Sequence, residues 1–494
     1  EGICGYKGVA AKCNLSIGVL LAQFSFLAGG AGMDKPCILW RLPRIALRHI
    51  YAQKASRSIL AMSLITTLAI AGPSRATTWR IQADGQGDAP TVQAGMDSSS
   101  SGDTVLVGPG TYLEDVDFGG KDITVIGRDG PELTFLNGSS EDSSVVIFRS
   151  GEGPGAVLEG FTITQGKGTA WFSPSPNRYG GGISIFNGSP TIRNNVISDN
   201  QADWGGGMFM GIESATDQPF PLPRPTVEGN LIKNNTGNHG GGGAFVRDLV
   251  GTFTSNVFQS NITLHGDGAG LRILMTAGSL TVTKNTFLEN LADDQGGGLH
   301  AHTSASLGPV GPVVIEQNVF IRNMAYGHDI GDVGAGGAIC ASSLFGSIRR
   351  NTIVENISLG ESECGGGGIR LWDESAHSAS DLIIEANIIA FNSGCGISCR
   401  FDPTATFGPN LMWNNQGGDF GGSPTGCPIA WAGQVTEADP AFCDQANDDF
   451  SVAENSPALV GSEVMGAFGD PGCGPVAVLR TTWGVLKSKY VTGQ

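Results

Sequence analysis

Gly205-Gly-Gly-Met208 and, further on, Asn230-Leu-Ile-Lys-Asn-Asn235 form an opening and a closing that the chain repeats. The closing phrase is an Asn, two mostly apolar residues, two variable ones and a second Asn. It occurs eight times: 195–200, 230–235, 256–261, 285–290, 318–323, 351–356, 387–392 and 410–415. The glycine openings begin at Gly180, Gly205, Gly241, Gly268, Gly296, Gly336, Gly366 and, in degenerate form, Gly394. Successive first asparagines lie 35, 26, 29, 33, 33, 36 and 23 residues apart. A fixed phrase with elastic spacing marks a repeat architecture whose insertions sit in loops. The apolar runs are too short and too β-branched for helices, and the glycines would weaken any helix through them. Each repeat therefore reads as one coil of a parallel β-helix, burying its flat face only against the next coil.

The glycines let the backbone turn a tight corner. A buried corner leaves backbone groups in need of partners, and an Asn amide both donates and accepts. Asn stacked on Asn at a strand spacing of about 4.8 Å forms a hydrogen-bonded ladder. The sixteen phrase asparagines are expected to be structural, and none is expected to be catalytic.

The chain has 494 residues and a formal net charge of −17. Ser16 to Gly32 is apolar enough to consider as a membrane span, but a better-formed export signal follows. Lys54 and Arg57 precede the apolar run Ile59–Ala71 and the small-residue end Ser74-Arg75-Ala76, which reads as a secretory signal at about 54–76. Residues 1–76 are thus an upstream segment and signal, and no transmembrane anchor is expected in the mature chain. That segment holds 9 of the 29 Lys/Arg and 2 of the 46 Asp/Glu, so 20 basic and 44 acidic residues remain, a net −24. A surface of that sign disfavours nucleic acid and anionic membranes. Seven cysteines remain as well: Cys340, Cys364, Cys395, Cys399, Cys427, Cys443 and Cys473. Export permits disulfides. Cys395 and Cys399 flank a strand and are too far apart to pair; Cys427 with Cys443 is one candidate pair, and the full connectivity stays open.

Before the repeats come a strand at Trp79-Arg-Ile-Gln82, a short helix at Ala89–Met96, and Gly102-Asp-Thr-Val-Leu-Val-Gly-Pro-Gly-Thr-Tyr112. This opening resembles the N-terminal cap and first coils of the pectin-lyase-like right-handed β-helix superfamily, where a Thr-Ile-Gln helix start and a Gly-Asp-Thr-Val to Pro-Gly-Thr-Tyr segment recur. The resemblance implies an all-β, right-handed solenoid with a short N-terminal capping helix. The repeats are also similar to the Gly-Gly-Ala-Ile and Phe-x-x-Asn motifs of chlamydial polymorphic outer-membrane proteins. Gly336-Gly-Ala-Ile339, Phe258–Asn261, Phe287–Asn290 and Phe320–Asn323 match as written. An autotransporter needs a long run of C-terminal membrane strands, for which little chain remains after Cys473. After Asn415, Asp439-Pro-Ala-Phe-Cys443, Asp449–Val452, Ser456–Val460 and Met465–Gly469 resemble the terminal coils of secreted bacterial β-helix proteins. The expected organisation is one β-helix over 77–473, with regular coils at 180–415 and C-terminal coils at 416–473, then a tail at 474–494.

If Ile183, Met208, Ala244, Leu271, Leu299, Ile339 and Ile369 point inward, the next residue in each coil points outward. That row reads Ser184, Phe209, Phe245, Arg272, His300, Cys340, Arg370; two residues on stand Phe186, Gly211, Arg247, Leu274, His302, Ser342, Trp372. Arg forks suit carboxylate or sulfate, and aromatic rings stack on sugar faces. The expectation is a secreted or cell-surface protein with a non-catalytic recognition or adhesion role. It would bind an acidic polysaccharide or cell-surface glycan through Phe209, Phe245, Arg247, Arg272, His300, His302, Arg370 and Trp372. The alternative is a polysaccharide lyase with His300 or His302 as base and Arg272 or Arg370 neutralising a uronate. A third reading is a purely structural surface protein. No superfamily catalytic motif carries over by position. His300-x-His302 lacks an evident third metal ligand. The acidic residues before the glycine turns, Asp203, Asp267, Asp293, Asp294, Asp329, Asp332, Glu361 and Glu363, read first as solvated loop charge and second as oxygen ligands for Ca²⁺.

Overall fold

Each coil needs three sharp corners and partners for the polar groups buried at them. In the computed structural model, which describes residues 76–171, 176–212, 222–304, 310–327, 335–359, 365–372, 381–400, 405–422, 426–461 and 463–473, those corners are built alike in coil after coil. A typical coil runs through four short strands: Thr191–Arg193, Val196–Ser198, Gln201–Trp204 and Met208–Gly211. Stacked coil on coil in parallel register, these make a first sheet of 12 strands, a second of 12, a third of 8, whose edge strand Thr169–Ala170 pairs antiparallel with Arg178–Tyr179, and a fourth of 11. The first asparagine turns sheet one into sheet two, the second turns sheet two into sheet three, and the glycines turn sheet three into sheet four.

The residue just before an asparagine takes up the corner strain. Asn194, Ser255, Lys284, Gln317, Arg350 and Ala386 before the first Asn have φ between 50° and 57°, and Asp199, Asn234, Ser260, Glu289, Arg322, Glu355, Phe391 and Asn414 before the second have φ between 50° and 59°. Left-handed backbone costs L-residues free energy, and the Asn ladder offsets it. Asn230 Nδ2 donates to Ile192 O at 2.9 Å and to Asn256 Oδ1 at 3.0 Å, while Asn230 Oδ1 accepts the Asn195 N–H at 3.0 Å. The chain of contacts runs unbroken from Asn195 to Asn410 and from Asn200 to Asn415. At the glycine corner Gly205 has φ 69°, and a Cβ on Gly206 would meet Thr236 O at 2.3 Å. The first needs left-handed backbone, the second close approach of the next coil.

The interior is a column of Ile, Val, Leu and Phe, with Phe258, Phe287 and Phe320 stacked at 4.8 and 4.6 Å. A helix, Val92–Ser98, capped by Thr91, lays Val92 and Met96 over the open N-terminal end. Trp431, in a short 3₁₀ segment Ile429–Gln434, stacks on Phe407 at 4.8 Å and covers the other end.

Two expectations are corrected at this end. The coils do not continue to 473: the last strand to join the solenoid is Val435–Glu437. The following residues instead double back as a strap along the outer face of the second sheet, forming two small antiparallel pairs, Phe442–Asp444 with Asp449–Val452 and Leu459–Val460 with Glu463–Val464. Phe450, Val452, Ala458 and Met465 of the strap bury Val319, Ile321, Val354, Ile388, Ala390 and Leu411 in a second core. Arg322 pins the strap through Asp448 at 2.6 and 3.0 Å. The segment lacks the Gly/Asn phrase, and apolar runs without corner residues cannot close a coil. Nor does Cys427 pair with Cys443. Cys399 bonds Cys427, closing the last coil, and Cys443 bonds Cys473, closing the strap. Cys395 is also disulfide-bonded, and Cys340 is a buried thiol. The expected signal, the tail 474–494, Cys364, Asp329, Asp332, Glu361, Glu363 and parts of the loops at 169–178 and 212–225 lie outside the described residues. Among the described residues no helix is long and apolar enough to cross a membrane.

Candidate functional site

The glycine corner fixes the frame of the fourth sheet, because each strand starts at the same distance from its glycines. Its register is therefore regular. Ser184, Phe209, Phe245, Arg272, His300, Cys340, Arg370 and Ser398 are successive neighbours, as are Phe186, Gly211, Arg247, Leu274, His302, Ser342, Trp372 and Arg400. Inward partners such as Ile273 and Ala301 lie in the core, so both rows point away from it.

The first row is not an open face. Phe209, Cys340, Arg370 and Ser398 are fully buried, His300 is 7% exposed, and the Arg272 side chain is 18% exposed. The cover comes from the residue just before the first glycine, which folds over the row residue of the following coil. Tyr179 packs on Phe209 at 4.9 Å, and Trp204 packs on Phe245 at 5.3 Å. Gly240 stands beside Arg272, and a Cβ there would meet Arg272 Nη1 at 2.6 Å. Asp267 faces His300, its Oδ2 3.6 Å from Nδ1. Gln295 Oε1 accepts the Cys340 thiol at 3.0 Å. The position before Gly336, in the coil preceding Arg370, is filled by the small Ala335.

Arg272 has little freedom to receive a ligand. Its guanidinium lies 5.2 Å from the Trp204 ring centre, pairs with Asp267 at 3.0 Å and donates to His239 O at 3.0 Å. Burial alone would raise the Asp267 carboxyl, but His300, Arg272 and hydrogen bonds from Asp294 and Gln295 outweigh it and hold the carboxyl below its ordinary range. Burial pushes His300 down to about 4; Asp267 opposes that shift, and Arg272 and His302 reinforce it. The His300 ring is thus neutral at neutral pH. Arg370 is buried with Nη1 3.3 Å from Ser398 Oγ.

The second row is different. Phe186, Arg247, Leu274, His302, Trp372 and Arg400 are all half-buried. His302 Nδ1 lies 3.1 Å from Ser342 Oγ, and the Arg400 guanidinium stacks 4.9 Å from the Trp372 ring centre. Arg247 is 34% exposed, and Trp171 stacks on Phe186 at 5.2 Å while its Nε1 donates to Ser184 Oγ at 2.6 Å. Of the eight residues named from sequence, Arg247, His302 and Trp372 remain partly accessible. Phe209, Phe245, Arg272, His300 and Arg370 belong to the buried layer beneath. Sequence reasoning missed Trp171, Trp204, Gln295 and Arg400. The position before the first glycine was the available signal for Trp204 and Gln295. Among the described residues no group of three or more His, Cys, Asp or Glu is placed to hold a metal ion.

Known proteins can be set beside this geometry. The family model for the right-handed β-helix region matches residues 121–376, just over half the chain. The chain belongs to the right-handed β-helix family. No curated protein matches it. Among solved structures, pectin methylesterase from carrot is 11% identical, with 77% of this chain and 94% of that chain covered and a TM-score of 0.26. The matched region of this β-helix protein takes in the fourth-sheet strands up to Ile369–Trp372, so its candidate face, apart from Arg400, lies on the family's own coils.

Proposed function

We propose that this β-helix protein is a secreted or cell-surface recognition protein that binds an acidic polysaccharide on the second row of its fourth sheet. The observation that carries the reading is the in-register line of Arg247, His302, Trp372 and Arg400, half-exposed over a fixed buried layer in a chain of net charge −17. Strand spacing sets neighbouring side chains about 4.8 Å apart, close to the length of one pyranose unit. A glycan lying along the solenoid would thus meet one row residue per sugar. Cations spaced along that line suit a carboxylated chain, and the Trp372 ring suits a sugar face. The Cys399–Cys427 and Cys443–Cys473 disulfides support an oxidising compartment. The test is retention of the purified chain on immobilised polyuronate against a neutral glycan. The expected result is selective retention, lost in the Arg247→Ala/Arg400→Ala double variant. Equal behaviour on both columns would overturn the reading.

A polysaccharide lyase is the second reading. It rests on the half-exposed His302, whose Nδ1 lies 3.1 Å from Ser342 Oγ, because His300 and Arg272 are held in the buried layer. Elimination needs a neutral base and a cation against the uronate carboxylate. The expected signature is ultraviolet absorbance from an unsaturated product during incubation with polyuronate, abolished by His302→Gln. No absorbance change would eliminate this reading for the substrates tried.

A further inference from the structure

The first sheet presents an outward face that neither the strap nor the glycan reading uses. One row runs Val157, Thr191, Thr226, Thr252, Thr281, Val314, Ser347, Ile383 and Thr406 on successive coils, every one β-branched or a serine and none charged. Beside it runs Glu159, Arg193, Glu228, Thr254, Thr283, Glu316, Arg349 and Glu385. The charges alternate at both ends and give way to threonines in the middle. Arg193 pairs with Glu159 at 2.8 Å and Arg349 with Glu385 at 2.6 Å. Among the described residues no ion pair reaches Glu228 or Glu316. The face is partly open along most of its length, exposed at Ile383 and Thr406 and closed at Ser347.

This second row is its own electrostatic complement when reversed. We propose that the face is a self-association surface on which a second copy of this chain docks about a two-fold axis along the strand Gly278–Thr283. That operation keeps the strands parallel and reverses the solenoid axis. It sets Glu228 against Arg349 of the second copy, Arg193 against its Glu385, and Glu316 against the hydroxyl of its Thr254. In the other row Thr281 meets Thr281, Thr252 meets Val314, and Thr226 meets Ser347. A two-fold interface needs such a self-complementary patch, and an uncharged centre with a charged rim is ordinary interface anatomy. With a third row two residues before the first, running from Ser189 through Arg224, Val250, Ser279 and Pro312 to Asp381, nine strands at about 4.8 Å give a face of roughly 38 Å by 14 Å. Over two copies that is about 1,100 Å², the size of a weak, concentration-dependent association.

The test is sedimentation of the full chain over a range of concentrations, with Thr281→Arg and Thr281→Asp as variants. Thr281 faces its own copy, so each variant opposes like charges while the mixture opposes unlike ones. The expected result is a wild-type mass rising toward two chains with concentration and falling back with salt. Each variant alone stays monomeric, and an equimolar mixture regains the dimer. Circular dichroism identical to wild type excludes misfolding as the cause, and Thr281→Ser retains the dimer. A wild-type chain monomeric at every concentration, variants that still dimerise, or a mixture that stays monomeric would each overturn the proposal.

Discussion

The N-terminal and C-terminal halves of the fourth sheet's first outward row occupy equivalent positions and are both largely covered, yet they are held by different forces. Phe209 and Phe245 sit among Tyr179 and Trp204, where burial and ring packing suffice. Arg272, His300 and Cys340 sit under Asp267 and Gln295, where each polar group needs a specific partner. An apolar ring tolerates any well-packed cover, whereas a buried guanidinium requires a carboxylate in one place. The cover residue before the glycine therefore follows its neighbour: aromatic over aromatic, acid over cation and imidazole, glycine where the arginine needs room.

The largest effect should come from removing one member of the polar half. Asp267→Ala leaves Arg272 without its carboxylate, and unfolding in denaturant should show a loss of about 3 kcal/mol. Adding Arg272→Met should recover most of it; a double variant as unstable as the single would mean that the pair is not the unit. Phe209→Ala should cost nearly as much, about 3 kcal/mol as a cavity effect, but with no dependence on salt or pH between 5 and 8.

Acid should separate the halves further. The folded pKa of His300, about 4, lies below the ordinary 6.5. Between those values the unfolded chain binds the proton and the folded chain does not. Stability should fall as pH drops from about 6.5 toward 4, by about 3 kcal/mol in all from this group. Unfolding midpoints across that range should lose this component in His300→Gln, and an unchanged slope would remove His300 as its source. The smallest effect belongs to the half-exposed row. Arg247→Ala should change stability by less than about 0.5 kcal/mol while weakening polyuronate retention. A large loss of stability would place Arg247 with the buried layer instead.

Much of the fold was legible because its corners are chemically demanding. The Asn and Gly positions sit where buried backbone must be satisfied or must turn, and they set the register of both outward rows. What stayed hidden was whether those rows faced solvent. A strand's alternation says that Arg272 and His300 point away from the core; it says nothing of a turn in the preceding coil folding over them. The residue in front of an asparagine looked variable, although at every position but Pro409 it is the left-handed corner, because Ser, Lys, Glu, Arg and Phe all occupy it. The strap was misread for a related reason. Asp449–Val452 and Leu459–Val460 are short apolar strands like those of a coil, and only the missing Gly/Asn phrase set them apart.

The strap also has a consequence for how the chain is made. Coils touch only their neighbours, so the solenoid can assemble as it emerges from the ribosome. Asp448 lies 126 residues after Arg322, and Glu463 lies 113 after Arg350. At typical synthesis rates of 5–20 residues per second, roughly 6–25 s separate the first of these anchors from its partner. For that interval the stripe of Val319, Ile321, Val354 and Ile388 is a nascent surface without its cover. The exposed interval of this stripe thus opens once its coils are made, and ends when the strap strands from Phe442 to Val464 arrive to shield what came before.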